Sequence, residues 1–246
     1  MTLIVTGASR GIGAAVARDA AARGYSVALN YSRDAEGAER VVAAIERGGG
    51  SALAIQGDVA KEADVLRLFE TAARELGPIG ALVNNAGITG KLGRFDAVTA
   101  DDIARVLAIN VLGTMLCARE AVRRMSSKHG GAGGAIVNVS SRAAQLGGGG
   151  EWIHYAASKG AVETFTIGLA REVAAEGIRV NAVAPGLIET GLHAAAGDPD
   201  RIERMKSAIP QQRAGTAAEV SAAVLWLLSA EASYVNGTVL AVSGGR

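Results

Sequence analysis

The chain has a single cysteine among 246 residues, which excludes an intramolecular disulfide and suits a reducing compartment. Cys117 sits in the apolar stretch VLGTMLCAREAV, where a free thiol is expected to act as a small core hydrophobe. Histidine is nearly as scarce. His129, His154 and His193 lie far apart and lack metal-ligand spacing, so no metal site is expected. No sign of charge predominates either. The 25 basic and 24 acidic residues leave a net charge of +1 with no basic block. Neither nucleic acid nor an anionic membrane is therefore the expected partner. No apolar run approaches the roughly 20 residues of a bilayer span. The opening MTLIVTG has no basic segment of the kind that starts a signal peptide, and the expected location is the cytoplasm.

What the chain does have is enough apolar residues, 49%, for a substantial core. It also alternates. Short β-branched or apolar runs at 3–6, 25–31, 52–56, 81–85, 134–140, 178–184 and 238–242 read as strands. Helical patterns fall between them at 12–23, 34–47, 61–76, 99–126, 153–176 and 217–229. Strands alternating with helices imply right-handed crossovers and a parallel sheet covered on both faces. The expected fold is α/β, a doubly wound parallel sheet forming one domain over residues 1–246, with ligands beyond the carboxyl ends of the strands. The runs GGG (48–50) and GGAGG (130–134) need be no more than connectors.

TGASRGIG (6–13) follows the first strand and opens the first helix. Unpaired backbone N–H groups at a helix start carry partial positive charge and can receive a pyrophosphate. Gly7, Gly11 and Gly13 permit the tight turn and lack side chains that would hold a ligand away. The spacing Gly-x3-Gly-x-Gly after Thr6 resembles that of the short-chain dehydrogenase/reductase family. The resemblance continues in family order through GDV (57–59), NNAG (84–87), LAIN (107–110), YAASK (155–159) and PGLIET (185–190), and covers essentially the full chain. It implies a Rossmann fold and a nicotinamide cofactor. The residues it marks for the cofactor are Gly7, Ser9, Arg10, Gly11, Ile12 and Gly13 in the first loop, then Tyr31, Ser32 and Arg33, then Asp58 and Val59. Asn85, Ala86, Gly87, Tyr155, Lys159, Pro185, Gly186, Ile188 and Thr190 complete them.

NAD and NADP differ by a 2′-phosphate, and an acidic residue ending the second strand favours the free ribose hydroxyl. Here the family's acidic position aligns with Tyr31, followed by Ser32 and Arg33. Arg10 supplies a second cation. Guanidinium groups suit phosphate through several charge-assisted hydrogen bonds, so NADP(H) is the expected cofactor, with NAD(H) the alternative. Asp34 would favour NAD(H) if the strand end shifted by a few residues.

The stretch SSRAAQLGGGGEWIHYAASK (140–159) carries the expected chemistry. Tyr155 and Lys159 share one helix face. A nearby ammonium favours the phenolate and lowers the tyrosine pKa, which suits Tyr155 as general acid/base while hydride moves at carbon. The resemblance adds Ser141, three residues after Asn138, to hold the substrate oxygen. It adds Asn110 to hold a water on the proton path. Ser140 is read as a strand-end residue with local hydrogen bonds. His154 falls on another helix face and is given a bland or substrate-lining part. Ser141 and Tyr155 are 14 residues apart, one more than is usual in the family, and GGGG (147–150) is the place to absorb it. That loop is expected to wall the substrate pocket, with Glu151, Trp152 and Ile153 near its mouth.

The resemblance also makes 186–213 a lid over the substrate, in which Leu187, Leu192, Ile202, Met205 and Ile209 imply a partly apolar pocket. It implies a homotetramer or homodimer built on the helices 99–126 and 153–176. The expected activity is interconversion of a carbonyl compound and a secondary alcohol with NADP(H), acting on a small molecule. A sugar or polyol is the alternative substrate class. A non-catalytic NADP(H)-binding sensor or scaffold protein would not need Ser141, Tyr155, Lys159 and Asn110 together. A methyltransferase would leave the Tyr–Lys pair and PGLIET unexplained. Ser243 stands where the family usually has aspartate, which leaves that aspartate's role without a counterpart.

Overall fold

The computed structural model describes residues 1–191 and 197–246. Leu192 and His193 lie outside them. Seven parallel strands form one sheet in the order β3-β2-β1-β4-β5-β6-β7. They are β1 (Thr2–Val5), β2 (Ser26–Tyr31), β3 (Ser51–Gln56), β4 (Ile79–Asn84), β5 (Gly134–Val139), β6 (Ile178–Pro185) and β7 (Val239–Val242). The central strands are apolar and buried throughout, as required of a sheet covered on both sides. Alternation along β1 sends Leu3 and Val5 into one core and Ile4 into the other.

The first core is closed by α1 (Gly11–Ala22), α2 (Ala35–Arg47) and α9 (Ala217–Leu228). Small residues allow close packing there: Ala14, Val16 and Ala17 of α1 join Val220 and Val224 of α9. The second core receives Leu68 and Phe69 of α3 (Glu62–Leu76), Cys117 and Met125 of α5 (Gly113–Met125), and Ala170 and Val173 of α7 (Ile153–Val173). Cys117 is fully buried there.

The long helix expected at 99–126 is interrupted. α4 (Ala100–Leu107) passes through a π-helical turn, Ala108–Leu112, before α5 begins. The 3.6-residue apolar period continues across a single wide turn, so composition gives no warning of it. The helix expected at 153–176 ends at Val173 and tightens into a 3₁₀ turn, Ala174–Glu176. A short helix, α6 (Ala143–Leu146), follows β5 and was not foreseen; another, α8 (Arg201–Met205), falls within 186–213.

The chain winds outward from β1 to β2 and β3, then returns to place β4 on β1's other side. A crevice therefore opens where β1 and β4 end, at Thr6–Gly7 and Asn85–Gly87.

Candidate active site

That crevice is the cleft in which the predicted residues meet. Its volume is about 810 Å³, and every residue expected to touch the cofactor lines it except Gly13. Gly13 works one layer below. A Cβ there would lie 2.5 Å from Asn85 Nδ2 and 2.6 Å from the Gly7 carbonyl oxygen, so its glycine serves close packing of helix on loop. Gly7 has φ +62°, and a Cβ on it would stand 2.8 Å from Ala86 Cα.

The loop is held from both sides. Thr6 Oγ1 accepts from the backbone N–H groups of Asn85 and Ala86, both at 3.0 Å, while Asn85 Nδ2 donates to the carbonyl oxygens of Thr6 and Gly7. Asn30, unnoticed in the sequence, accepts from Gly7 N–H and donates to the Gly57 carbonyl oxygen at 2.9 Å. No side chain caps the start of α1, and no acidic residue stands in its first turn. The loop thus offers amide donors and bare glycine at a helix start, a donor set that fits a pyrophosphate.

Arg10, at the start of α1, and Arg33, just past β2, are exposed and both line the cleft. Asp34 also reaches its wall, but its carboxylate accepts from Gly37 N–H at 3.0 Å and caps α2. Guanidinium groups at this wall could receive a phosphate through charge-assisted hydrogen bonds. Asp58 and Val59 lie farther along, where an Asp58 oxygen accepts from Ala60 N–H.

β5 ends at Val139, and the two serines after it divide. Ser140 is buried and donates to Glu163 at 2.7 Å. Ser141 lines the cleft together with Tyr155, and its hydroxyl accepts from Ala143 N–H at 3.1 Å. Lys159 is buried beside them. Its ammonium donates to the Val139 carbonyl oxygen at 2.7 Å and stands 5.7 Å from the centroid of the Tyr155 ring.

The expected lowering of the tyrosine pKa by Lys159 is not found in this geometry. Burial raises the Tyr155 phenol, against a smaller lowering effect of the nearby Ser141 hydroxyl. Burial also pushes Lys159 down to about 8. With its proton directed at Val139, the lysine does not offset the desolvation of the phenol.

Asn110 is fully buried in the π turn and does not line the cleft. Its side chain accepts from Ile88 N–H and donates to the Ile88 carbonyl oxygen and to Ser158 Oγ, each at 2.9 Å. It therefore braces the irregular segment following NNAG from beneath. His154 is buried behind the cleft, with Nε2 3.4 Å from an Asp102 oxygen, and does not line it.

The GGGG run turns through left-handed backbone conformations. Gly147, Gly148 and Gly150 have φ of +79°, +64° and +76°. Glu151 and Trp152 join the cleft wall, but Ile153 is exposed outside it. From the segment after β6, Leu187 and Arg201 reach the cleft, while Ile202, Met205 and Ile209 pack with Leu187 in a small apolar cluster. Arg201 escaped the sequence reading because an arginine in a polar loop carries no pattern. Ser243, in the aspartate's place, donates to the carbonyl oxygen of Arg246.

Among the described residues no cluster of three or more histidine, cysteine or acidic side chains could hold a metal, and no helix is long and apolar enough to cross a membrane.

A family model described as enoyl-(acyl carrier protein) reductase matches residues 7–246. The chain is 51% identical over 243 residues to the uncharacterized oxidoreductase YgfF of Escherichia coli (strain K12), spanning 99% of this chain and 98% of that protein. It is 40% identical over 248 residues to 3beta-hydroxysteroid dehydrogenase 1 of Eggerthella lenta, with 99% and 92% covered. A crystal structure of a short chain dehydrogenase from Burkholderia cenocepacia J2315 in complex with NADP superposes with a TM-score of 0.90 at 37% identity, covering 99% of this chain and 96% of that one. Sequence, sheet order and cleft agree: the chain belongs to the short-chain dehydrogenase/reductase family and is an oxidoreductase.

Proposed function

We propose that the protein interconverts a carbonyl compound and a secondary alcohol with NADP(H), using Tyr155 as general acid/base. The observation that carries this reading is that Ser141, Tyr155 and Lys159 line one cleft together with the glycine loop at the start of α1. Bound beyond β1 and β4, the nicotinamide would supply or accept hydride. Arg10 and Arg33 would hold the 2′-phosphate, and the start of α1 the pyrophosphate. A neighbour described in complex with NADP supports that preference.

Ser141 would fix the substrate oxygen by a hydrogen bond. Tyr155 would give that oxygen its proton in reduction, or take it in oxidation. For Lys159 to aid the phenolate, its ammonium must leave Val139 and turn toward the ribose side of the cleft. Asn110 would act by holding the Ile88 backbone, and with it one wall. The relative named as a 3beta-hydroxysteroid dehydrogenase supports a secondary alcohol as the reduced partner.

Exposed Leu107, Leu112 and Met115 along the interrupted helix, and Ile167 on α7, support assembly into a homodimer or homotetramer through these helices. The balanced charge favours a small-molecule substrate over nucleic-acid or anionic-membrane partners, and we keep the cytoplasm as the proposed location. The deciding experiment follows NADPH absorbance with a panel of ketones and aldehydes. Loss of NADPH by the wild type and its absence in Tyr155→Phe is the expected result. Unchanged turnover in that variant would overturn the acid/base role.

A further inference from the structure

Three separate walls of the substrate end converge on Glu151. The tight glycine turn delivers it: its N–H donates to the Gly148 carbonyl oxygen at 3.1 Å. A Cβ on Gly148 would press to 2.9 Å from the Trp152 carbonyl oxygen. The Glu151 carbonyl oxygen accepts from Gly93 N–H at 3.0 Å, which joins the loop after β4. Its carboxylate accepts both terminal nitrogens of Arg201, at 2.5 and 2.6 Å, which joins the lid.

Arg201 is the buried member of this pair. It is 7% exposed, its guanidinium carbon lies 4.7 Å from the Trp152 ring centroid, and Asp198 stands 3.6 Å away. A fork-to-fork pair fixes geometry as well as charge, and the indole face adds a cation–π contact. The ends of the lid are held by other means. The Gly215 N–H donates to the Leu187 carbonyl oxygen, and Ile202, Met205 and Ile209 make an apolar foot. Arg201 is thus the lid's charged tie to the wall that runs into Tyr155.

We propose that Glu151 and Arg201 latch the lid to the glycine-rich wall, and that their mutual neutralisation makes the closed cleft select uncharged over anionic carbonyl substrates. This rests on the hydride-transfer reading only for the selectivity. Without Glu151, Arg201 would face the substrate as a buried cation with its strongest partner gone, and an anionic group would be the ligand best able to replace it. Arg142, near Ser141, directs its donors to the Arg246 carbonyl oxygen and to Gln145. It is present in every variant compared, so its own pull cancels.

The test compares wild type, Glu151→Gln, Arg201→Met and the double variant, all saturated with NADPH. The paired probes are methyl 4-acetylbenzoate and the 4-acetylbenzoate anion. The ratio of kcat/KM for anion over ester should rise about tenfold in Glu151→Gln, since one charge pair in a sheltered site is worth about that much. It should fall back in Arg201→Met and in the double variant. A ratio moving the same way in both single variants, or in neither, would overturn the selectivity, because a purely structural role does not distinguish the sign of the lost charge. Amide hydrogen exchange over 201–205 gives a readout that needs no turnover. Faster exchange in both single variants, with the double variant no faster than either, supports a latch acting as a unit. Wild-type exchange in both overturns it. Failure of the wild type to oxidise NADPH with either probe would count against the hydride-transfer reading, while the exchange still decides the latch.

Discussion

The ammonium of Lys159 donates to the carbonyl oxygen of Val139 at 2.7 Å, so the cation of the Tyr–Lys pair is tied to the last residue of β5. Desolvation pushes that lysine from 10.5 to about 8, and the unfolded chain therefore holds its proton more tightly than the folded one. The resulting loss of stability is full below pH 8 and fades as pH rises toward 10.5. The shift sets a ceiling of about 3 kcal/mol, from which roughly 1 kcal/mol is lost with the Val139 hydrogen bond. Lys159→Met should thus be more stable than wild type by about 2 kcal/mol at pH 7, and nearly equal to it at pH 10.5. Denaturant unfolding at the two pH values checks this, and the same variant should lose turnover.

The adjacent serines give a second contrast. Ser141→Ala removes the hydroxyl that shares the cleft wall with Tyr155 and should lower kcat by on the order of 100-fold, with NADPH affinity little changed. Ser140→Ala removes a buried hydrogen bond to Glu163 and should act mainly on stability, by about 1 kcal/mol. Parallel kcat and melting measurements separate them. Equal kcat losses would mean that the strand end positions both hydroxyls as one unit.

Cofactor choice is read at Arg10 and Arg33. Replacing both with alanine should weaken NADPH binding by roughly 10- to 100-fold and leave NADH nearly untouched. Titration of each cofactor against the apoprotein gives the ratio. An equal loss for both cofactors would place these side chains on the shared pyrophosphate instead.

Within GGGG, neighbouring positions should respond with opposite sign. Gly148→Ala meets φ +64° and the Trp152 carbonyl oxygen at 2.9 Å, and should destabilise by about 1–2 kcal/mol. A Cβ on Gly149 meets nothing within 4 Å, and its φ is not positive. Gly149→Ala should be neutral or stabilise by about 0.5 kcal/mol through the unfolded chain. Thermal melts of the two variants are sufficient.

Much of this architecture was legible in the sequence. Strands such as LIVT and GAIVNVS announce a sheet buried on both faces, and the helices between them make it parallel. The glycine loop and YAASK could be placed because short-range spacing governs turns and helix faces. What escaped depends on distance in space. Nothing near Asn30 in sequence indicates Gly7 or Gly57, its partners across strands. Nothing near Arg201 indicates Glu151, 50 residues earlier. The pKa expectation for Tyr155 failed for a related reason: helical spacing brings Lys159 close, but only the packed structure shows which acceptor its ammonium takes.

The π turn at Ala108–Leu112 makes the helix from Ala100 to Met125 one residue richer than a regular helix with the same ends in place. Hydrogen bonds that span five residues instead of four accommodate the surplus. Loss of a single residue from this turn would let α4 and α5 fuse without rotating either flank, leaving both packed faces in register. The helix could therefore survive a shortening that the cleft could not, because Asn110, which holds the Ile88 backbone, sits within the turn itself. At this point the chain's length answers to the site rather than to the fold.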